Sequence, residues 1–155
     1  MYQGRLLAIG LGGLFLVSIS TQVFAQEDIV KKRKDLMQSN NADVKAITKA
    51  KEDKDYATIE LKAKDIMGNI DAYPTVFPKG SLTEKSRAHA DIWVKTDEFK
   101  NLTAKTRKAA EALSKAAAAK DEAEVNTKVK ELGNTKEGAC GDCHKVFRSD
   151  FRKDS

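Results

Sequence analysis

The chain has 155 residues, of which 41% are hydrophobic and 33% charged, with two prolines, two cysteines, two histidines and a formal net charge of +5. Such a length supports one well-formed core and excludes two. The 28 lysines and arginines are interleaved with 23 acids in the manner of a solvated helical surface, so the positive balance is no evidence for nucleic acid as a partner.

Residues 1–25 carry Arg5, an apolar run from Leu6 to Ile19, and Val23-Phe24-Ala25 before a charged stretch. This pattern predicts a signal peptide cleaved after Ala25, which leaves residues 26–155 as one exported domain. The apolar run is short for a span of about 20 residues, and no stable membrane span is expected after cleavage. Loss of Arg5 leaves 27 Lys plus Arg against 23 acids, a formal charge of +4. The expected compartment is the periplasm.

The exported part reads as helices throughout, with no period-two alternation of a half-buried strand. A first helix is expected from about Glu27 to Asp53, with Ile29, Leu36, Val44 and Ile47 on one face and a weak point or kink at Asn40-Asn41. A second runs from about Asp55 to Ile70, burying Ile59, Ala63, Ile66, Met67 and Ile70. Pro74, Pro78 and Gly80 make residues 71–95 a long connection, anchored by Tyr73, Val76, Phe77, Leu82, Ile92 and Trp93. Ser81 with Glu84 suggests a capped helical turn within it.

A third helix starts near Thr96 or Asp97 and reaches about Lys120, its inner face traced by Phe99, Leu102, Thr106, Ala109, Ala110, Leu113 and Ala117. A fourth begins at Asp121, where Glu124 completes a capping box. Val125, Val129, Leu132, Cys140, Cys143, Val146 and Phe147 keep its helical face to the C-terminal end, and Gly133 and Gly138 are expected to admit a flat macrocycle beside the backbone. The fold class is therefore all-α, an antiparallel four-helix bundle.

Cys140-Gly141-Asp142-Cys143-His144 is the stretch that carries chemistry. Two thiols three residues apart on one helical turn can each add to a vinyl group of one haem, and the next residue places an imidazole on the iron. Three other readings fit less well. A thioredoxin-like dithiol wants a strand-turn-helix context, and a structural zinc site wants four ligands where only His89 is left to join these three. A disulfide across so small a loop would contribute little. The expectation is one covalent haem c near the C-terminus, with Cys140 and Cys143 as attachment points and His144 as axial ligand to iron.

Eleven residues follow His144, so a second axial ligand would come from earlier in the chain, where Met37, Met67 and His89 are the candidates. His89 sits in the polar run 85–91 and reads as a surface residue, and Met67 reads as core filling. Met37 lies one helical turn beyond Arg33, and both fall near the apolar arc of the first helix. A buried guanidinium there would be satisfied by a haem propionate, which would set Met37 over the far face. The other reading of the pair is that Arg33 snorkels and Met37 only packs.

Lys32-Arg33-Lys34-Asp35-Leu36-Met37-Gln38, Phe77-Pro78-Lys79-Gly80-Ser81, Ile92-Trp93, and Cys140-Gly141-Asp142-Cys143-His144 followed by Phe147-Arg148 together resemble the class II cytochromes c, the cytochrome c prime group. The likeness runs over essentially all of residues 26–155. One departure is Ala90, where the family often has a proline shortly before Ile-Trp. The resemblance implies a periplasmic left-handed bundle with haem c between its helices, often a homodimer packed through the first two. It also implies Arg33 as a propionate partner, Met37 as the distal residue, and Arg148 as a structural or propionate-side charge.

Two functions follow, and they differ at one bond. With Met37 on the iron the protein is a low-spin single-electron carrier serving redox partner proteins of the periplasm. With Met37 only filling space, the iron is five-coordinate, high-spin and open to nitric oxide or carbon monoxide. The sequence holds no catalytic constellation of nucleophile and base and no glycine-rich phosphate loop, so an enzyme is not expected.

Overall fold

The computed structural model describes residues 18–151, with side chains described for 27–150. The leader expected over residues 1–25 lies outside the described residues up to position 17, with backbone alone described from Ser18. Four long helical segments form the bundle: α1 (Ser18–Glu52), α2 (Tyr56–Asp71), α5 (Thr96–Ala118), and a fourth member made of α6 (Glu122–Leu132) and α7 (Gly138–Phe147). Two single-turn helices, α3 (Tyr73–Val76) and α4 (Asp91–Val94), lie in the long connection, and a 3-10 turn (Ser149–Phe151) follows α7. Among the described residues no helix is long and apolar enough to cross a membrane.

Local chemistry sets these boundaries. Asp55 caps α2 by accepting from the Thr58 amide at 3.1 Å, and Asp121 caps α6 by accepting from the Glu124 amide at 3.0 Å. Each satisfies a backbone donor that has no partner inside its helix. The core between α1, α2, α5 and α6 holds Ile47, Ile59, Ile66, Leu113 and Val125 almost fully buried, and Ala110 and Ala117 let α5 approach closely.

Four local expectations need correction. The first helix buries Val30 at 3% exposure, with Ile29 only half-buried, so its inner face is rotated toward Arg33 and Met37. No break occurs at Asn40-Asn41, because the Asn40 side chain donates to the Tyr73 hydroxyl at 2.8 Å and does not compete for its own backbone. Ser81 caps no helix; it is buried, and its hydroxyl accepts from Arg33 at 2.8 Å.

The fourth helix, expected to continue from Asp121 into the cysteine motif, breaks between α6 and α7. Gly133 ends α6 with φ of 72° and ψ of −155°, a region only glycine enters readily. A Cβ on Gly133 would fall on the Glu137 carbonyl, and one on Gly141 would fall on the backbone of Lys136. The close approach these glycines permit is backbone to backbone across the turn.

Candidate functional site

The turn between α6 and α7 positions the histidine. Asn134 accepts from the Lys136 amide through Oδ1 at 2.8 Å, and its own amide donates to the Glu137 carbonyl at 3.0 Å. The turn so closed presents the Thr135 carbonyl 3.1 Å from His144 Nδ1. A carbonyl can only accept, so Nδ1 carries the proton and Nε2 carries the lone pair, the tautomer a metal-binding imidazole needs. Burial is the leading cause that lowers the His144 pKa and keeps the ring neutral.

Both cysteines are free thiols. Burial pushes Cys140 up to about 11, and burial together with neighbouring Cys140 pushes Cys143 up to about 12, so both are protonated at neutral pH. Helix α7 that carries them is tied to α5 at two points. The buried Thr106 hydroxyl lies 3.2 Å from the Ala139 carbonyl, and Lys105 Nζ lies 2.7 Å from Asp142 Oδ2. Lys105 in turn holds the Asp142 carboxyl below its ordinary range.

Two adjoining cavities, of about 630 and 60 Å³, share Met37, Asn41, Thr135, Cys143 and His144 as walls. The larger falls within the range of roughly 300–1,000 Å³ usual for cofactor clefts. Phe77, Ile92, Phe99 and Phe147 supply its apolar surface, and the smaller cavity adds Cys140 and Tyr73. The Phe77, Phe99 and Phe147 rings meet edge to face, with centroids 5.1 and 5.3 Å apart, and give the wall fixed planes.

Of the three candidates for a second axial ligand, only Met37 lines these cavities. Met67 packs against the core, and His89 interacts with Asp91 at 3.1 Å while its amide donates to the Phe147 carbonyl. The Met37 sulfur accepts a hydrogen bond from the Tyr73 hydroxyl at 3.3 Å.

Arg33 and Arg148 both line the larger cavity, in different states. Arg148 makes a two-point ion pair with Asp150, at 2.7 and 2.8 Å. Arg33 is 5% exposed and donates to Val76 O, Ser81 Oγ and Ser86 Oγ, with its guanidinium 4.2 Å from the Phe77 ring centroid. Among the described residues no carboxylate pairs with it, and burial alone pushes its pKa down to about 10, so it stays charged at neutral pH.

These residues fit a haem: two buried thiols, an imidazole with its lone pair on Nε2, aromatic walls, and a buried cation without an anion. Among the described residues no group of three or more His, Cys, Asp or Glu could hold a metal ion by itself. Sequence reasoning missed Tyr73, Asn40 and Thr135. The first could have been noticed as a buried phenol in need of hydrogen-bond partners; the carbonyl of Thr135 leaves no residue-type signal.

The model of the family described as Cytochrome C' matches residues 28–148. Similar curated proteins include a cytochrome c' of Pararhodospirillum photometricum, 38% identical over 56% of this chain and 66% of its own length. A cytochrome c-556 of Agrobacterium fabrum is 37% identical over 66% of each chain. The first relatives are thus matched over somewhat less than two thirds of their length, down to 58% for a cytochrome c' of Rhodospirillum rubrum. Among solved structures, the cytochrome c prime of Shewanella frigidimarina superposes with a TM-score of 0.71 at 21% identity, covering 81% of this chain and 97% of that one. The nitric oxide complex of an L16A mutant of cytochrome c prime from Alcaligenes xylosoxidans gives 0.69 at 21% identity, covering 79% and 94%.

Proposed function

Because the chain belongs to the cytochrome c′ family, whose cofactor is one covalent haem c with its iron, we propose that it is a periplasmic single-electron carrier in which His144 and Met37 would hold the haem iron. The observation behind this reading is that Met37, alone among the candidate second ligands, lines the cavity that Cys143 and His144 also line. Haem c supplies an iron that cycles between two oxidation states, and the residues do the rest. Cys140 and Cys143 would tether it through thioether bonds. Thr135 fixes the His144 tautomer through Nδ1. Arg33 supplies the charge for a propionate, and Arg148, held by Asp150, lies at the same cavity. Thioether ligation raises the potential and suits a carrier.

A second reading has support of its own and is the one the comparisons favour. In it Met37 leaves the iron five-coordinate, and the site takes up nitric oxide or carbon monoxide. The matching family and the first relatives bear the name cytochrome c′, and a similar solved structure is a nitric oxide complex. In neither reading is the protein an enzyme. Removal of residues 1–25 as a signal peptide and a homodimer through the first two helices complete the proposal. A dimer is in keeping with a similar cytochrome c' of known structure that shows ligand-controlled dimer dissociation.

Absorption spectra of the reduced and oxidised protein decide between the two. The carrier reading expects a split, low-spin reduced spectrum that is lost in Met37→Leu. A high-spin spectrum in the unmutated protein, with ready uptake of nitric oxide, overturns it in favour of the second.

A further inference from the structure

A partly buried relay ends on the Met37 sulfur. Asn69 Nδ2 donates to Asn40 Oδ1 at 2.8 Å, Asn40 Nδ2 donates to the Tyr73 hydroxyl oxygen at 2.8 Å, and the Tyr73 hydroxyl donates to Met37 Sδ at 3.3 Å. The orientation of the two amides sets the direction of the relay. Asn40 turns its carbonyl oxygen to Asn69, so its amide nitrogen faces Tyr73. The phenol oxygen accepts there, and its single proton is left for the thioether.

The phenol is also held still. Tyr73 is 6% exposed, its ring meets Phe77 edge to face at 6.0 Å, and it opens the short helix α3 immediately before Pro74, whose ring fixes φ. Asn69 and Asn40 come from α2 and α1, so two of the bundle's long helices set where the proton points.

We infer that Tyr73 is the positioning residue for Met37, fixing the direction of the thioether and drawing electron density from its sulfur through a hydrogen bond that Asn40 and Asn69 orient. The inference deepens the carrier reading and rests on it for the sign of the effect on potential. A thioether sulfur has two lone pairs. A proton donor on one makes the other a weaker donor, and a ferric centre, with its higher charge, loses more from this than a ferrous one. Tyr73 therefore raises the potential and loosens the bond between Met37 and ferric iron. An unmade hydrogen bond to a mobile thioether would do neither.

The test uses the haem-loaded protein and three variants, Tyr73→Phe, Met37→Leu and the double variant, with thermal melting as the control for folding. Tyr73→Phe keeps the ring and removes only the proton donor. Its reduction potential is expected to fall, and added imidazole is expected to displace Met37 from ferric iron roughly three- to ten-fold less readily. In the Met37→Leu background the same change is expected to move neither quantity. Should the unmutated iron prove high-spin, the carrier reading fails, but the positioning role still predicts a result: the freed thioether in Tyr73→Phe would produce a low-spin fraction or weaken carbon monoxide binding several-fold. Unchanged potential, spin state and ligand affinity in Tyr73→Phe, with melting intact, overturns the inference. An equal shift in the Met37→Leu background overturns it too.

Discussion

Arg33 and Val76 lie 43 residues apart in the chain, and the Val76 carbonyl accepts from both Nε and Nη2 of Arg33, at 3.0 and 2.9 Å. With Ser81 on Nη2 and Ser86 on Nη1, Arg33 clasps the long connection to the first helix and keeps one Nη1 hydrogen free of these partners. Arg33→Ala leaves these buried acceptors without their donor and is expected to cost about 2–4 kcal/mol in urea unfolding. Arg33→Lys keeps the charge and loses the fork, so it should recover only part of that loss. Equal stability of Arg33→Ala and the unmutated protein would show that the clasp is decorative.

Gly141 sits inside the Cys-x-x-Cys pair with the Lys136 backbone where its Cβ would be. In Gly141→Ala the turn between α6 and α7 must open, since backbone cannot rotate away as a side chain can. The expected loss is about 1–3 kcal/mol. Because the turn also carries the Thr135 carbonyl to His144, that ring should be perturbed as well, visible as a shifted Soret band in the haem-loaded variant. Gly68, where a Cβ meets nothing within 4 Å, is the control: Gly68→Ala should leave the spectrum alone.

Hydrogen bonds from the Thr58 hydroxyl and amide hold the Asp55 carboxyl below its ordinary pKa of 3.8. A folded-state pKa lowered in this way gives stability that is present above the unfolded value and lost as pH falls through the folded one. Asp55→Asn still caps α2 but does not titrate. Its melting temperature should therefore fall less than that of the unmutated protein between about pH 5 and pH 2. Parallel curves for the two proteins would rule the cap out as an acid-sensitive contact.

The sequence made α2 and α5 legible almost to the residue, because each has a continuous apolar stripe, Ile59 to Ile70 and Thr106 to Ala117, and a polar opposite face. The cysteine motif was legible for a chemical reason, since spacing and residue type alone specify what it can bind. The α6–α7 break was not, because a glycine in a left-handed turn and a glycine tolerated within a helix look alike in one dimension. Nor were the Arg33 acceptors or the Tyr73 relay, whose partners lie about 30 to 50 residues apart along the chain. Asn40 reads as a helix weakener because an asparagine side chain can compete for its own backbone, while the structure gives it a phenol on the neighbouring segment.

Removal of the cofactor should loosen one end of the bundle and spare the other. The cavity walls at Phe77, Ile92, Phe99 and Phe147 face space that the chain's own side chains leave unfilled, and they lie on the 72–95 connection, the start of α5 and α7. Ile47, Ile59, Leu113 and Val125 belong to the packed core that adjoins this wall but line neither cavity themselves. Dry apolar space forfeits contact energy on every wall, whereas water entering it meets aromatic surface. A Cys140→Ala/Cys143→Ala chain should consequently exchange backbone amides quickly over residues 72–95 and 133–148. Protection should persist through α2 and the C-terminal half of α5, as expected where stability is distributed in local units. Uniform loss of protection would mean that the cofactor nucleates the entire fold, and uniform retention would mean that the aromatic wall collapses to fill its own cavity.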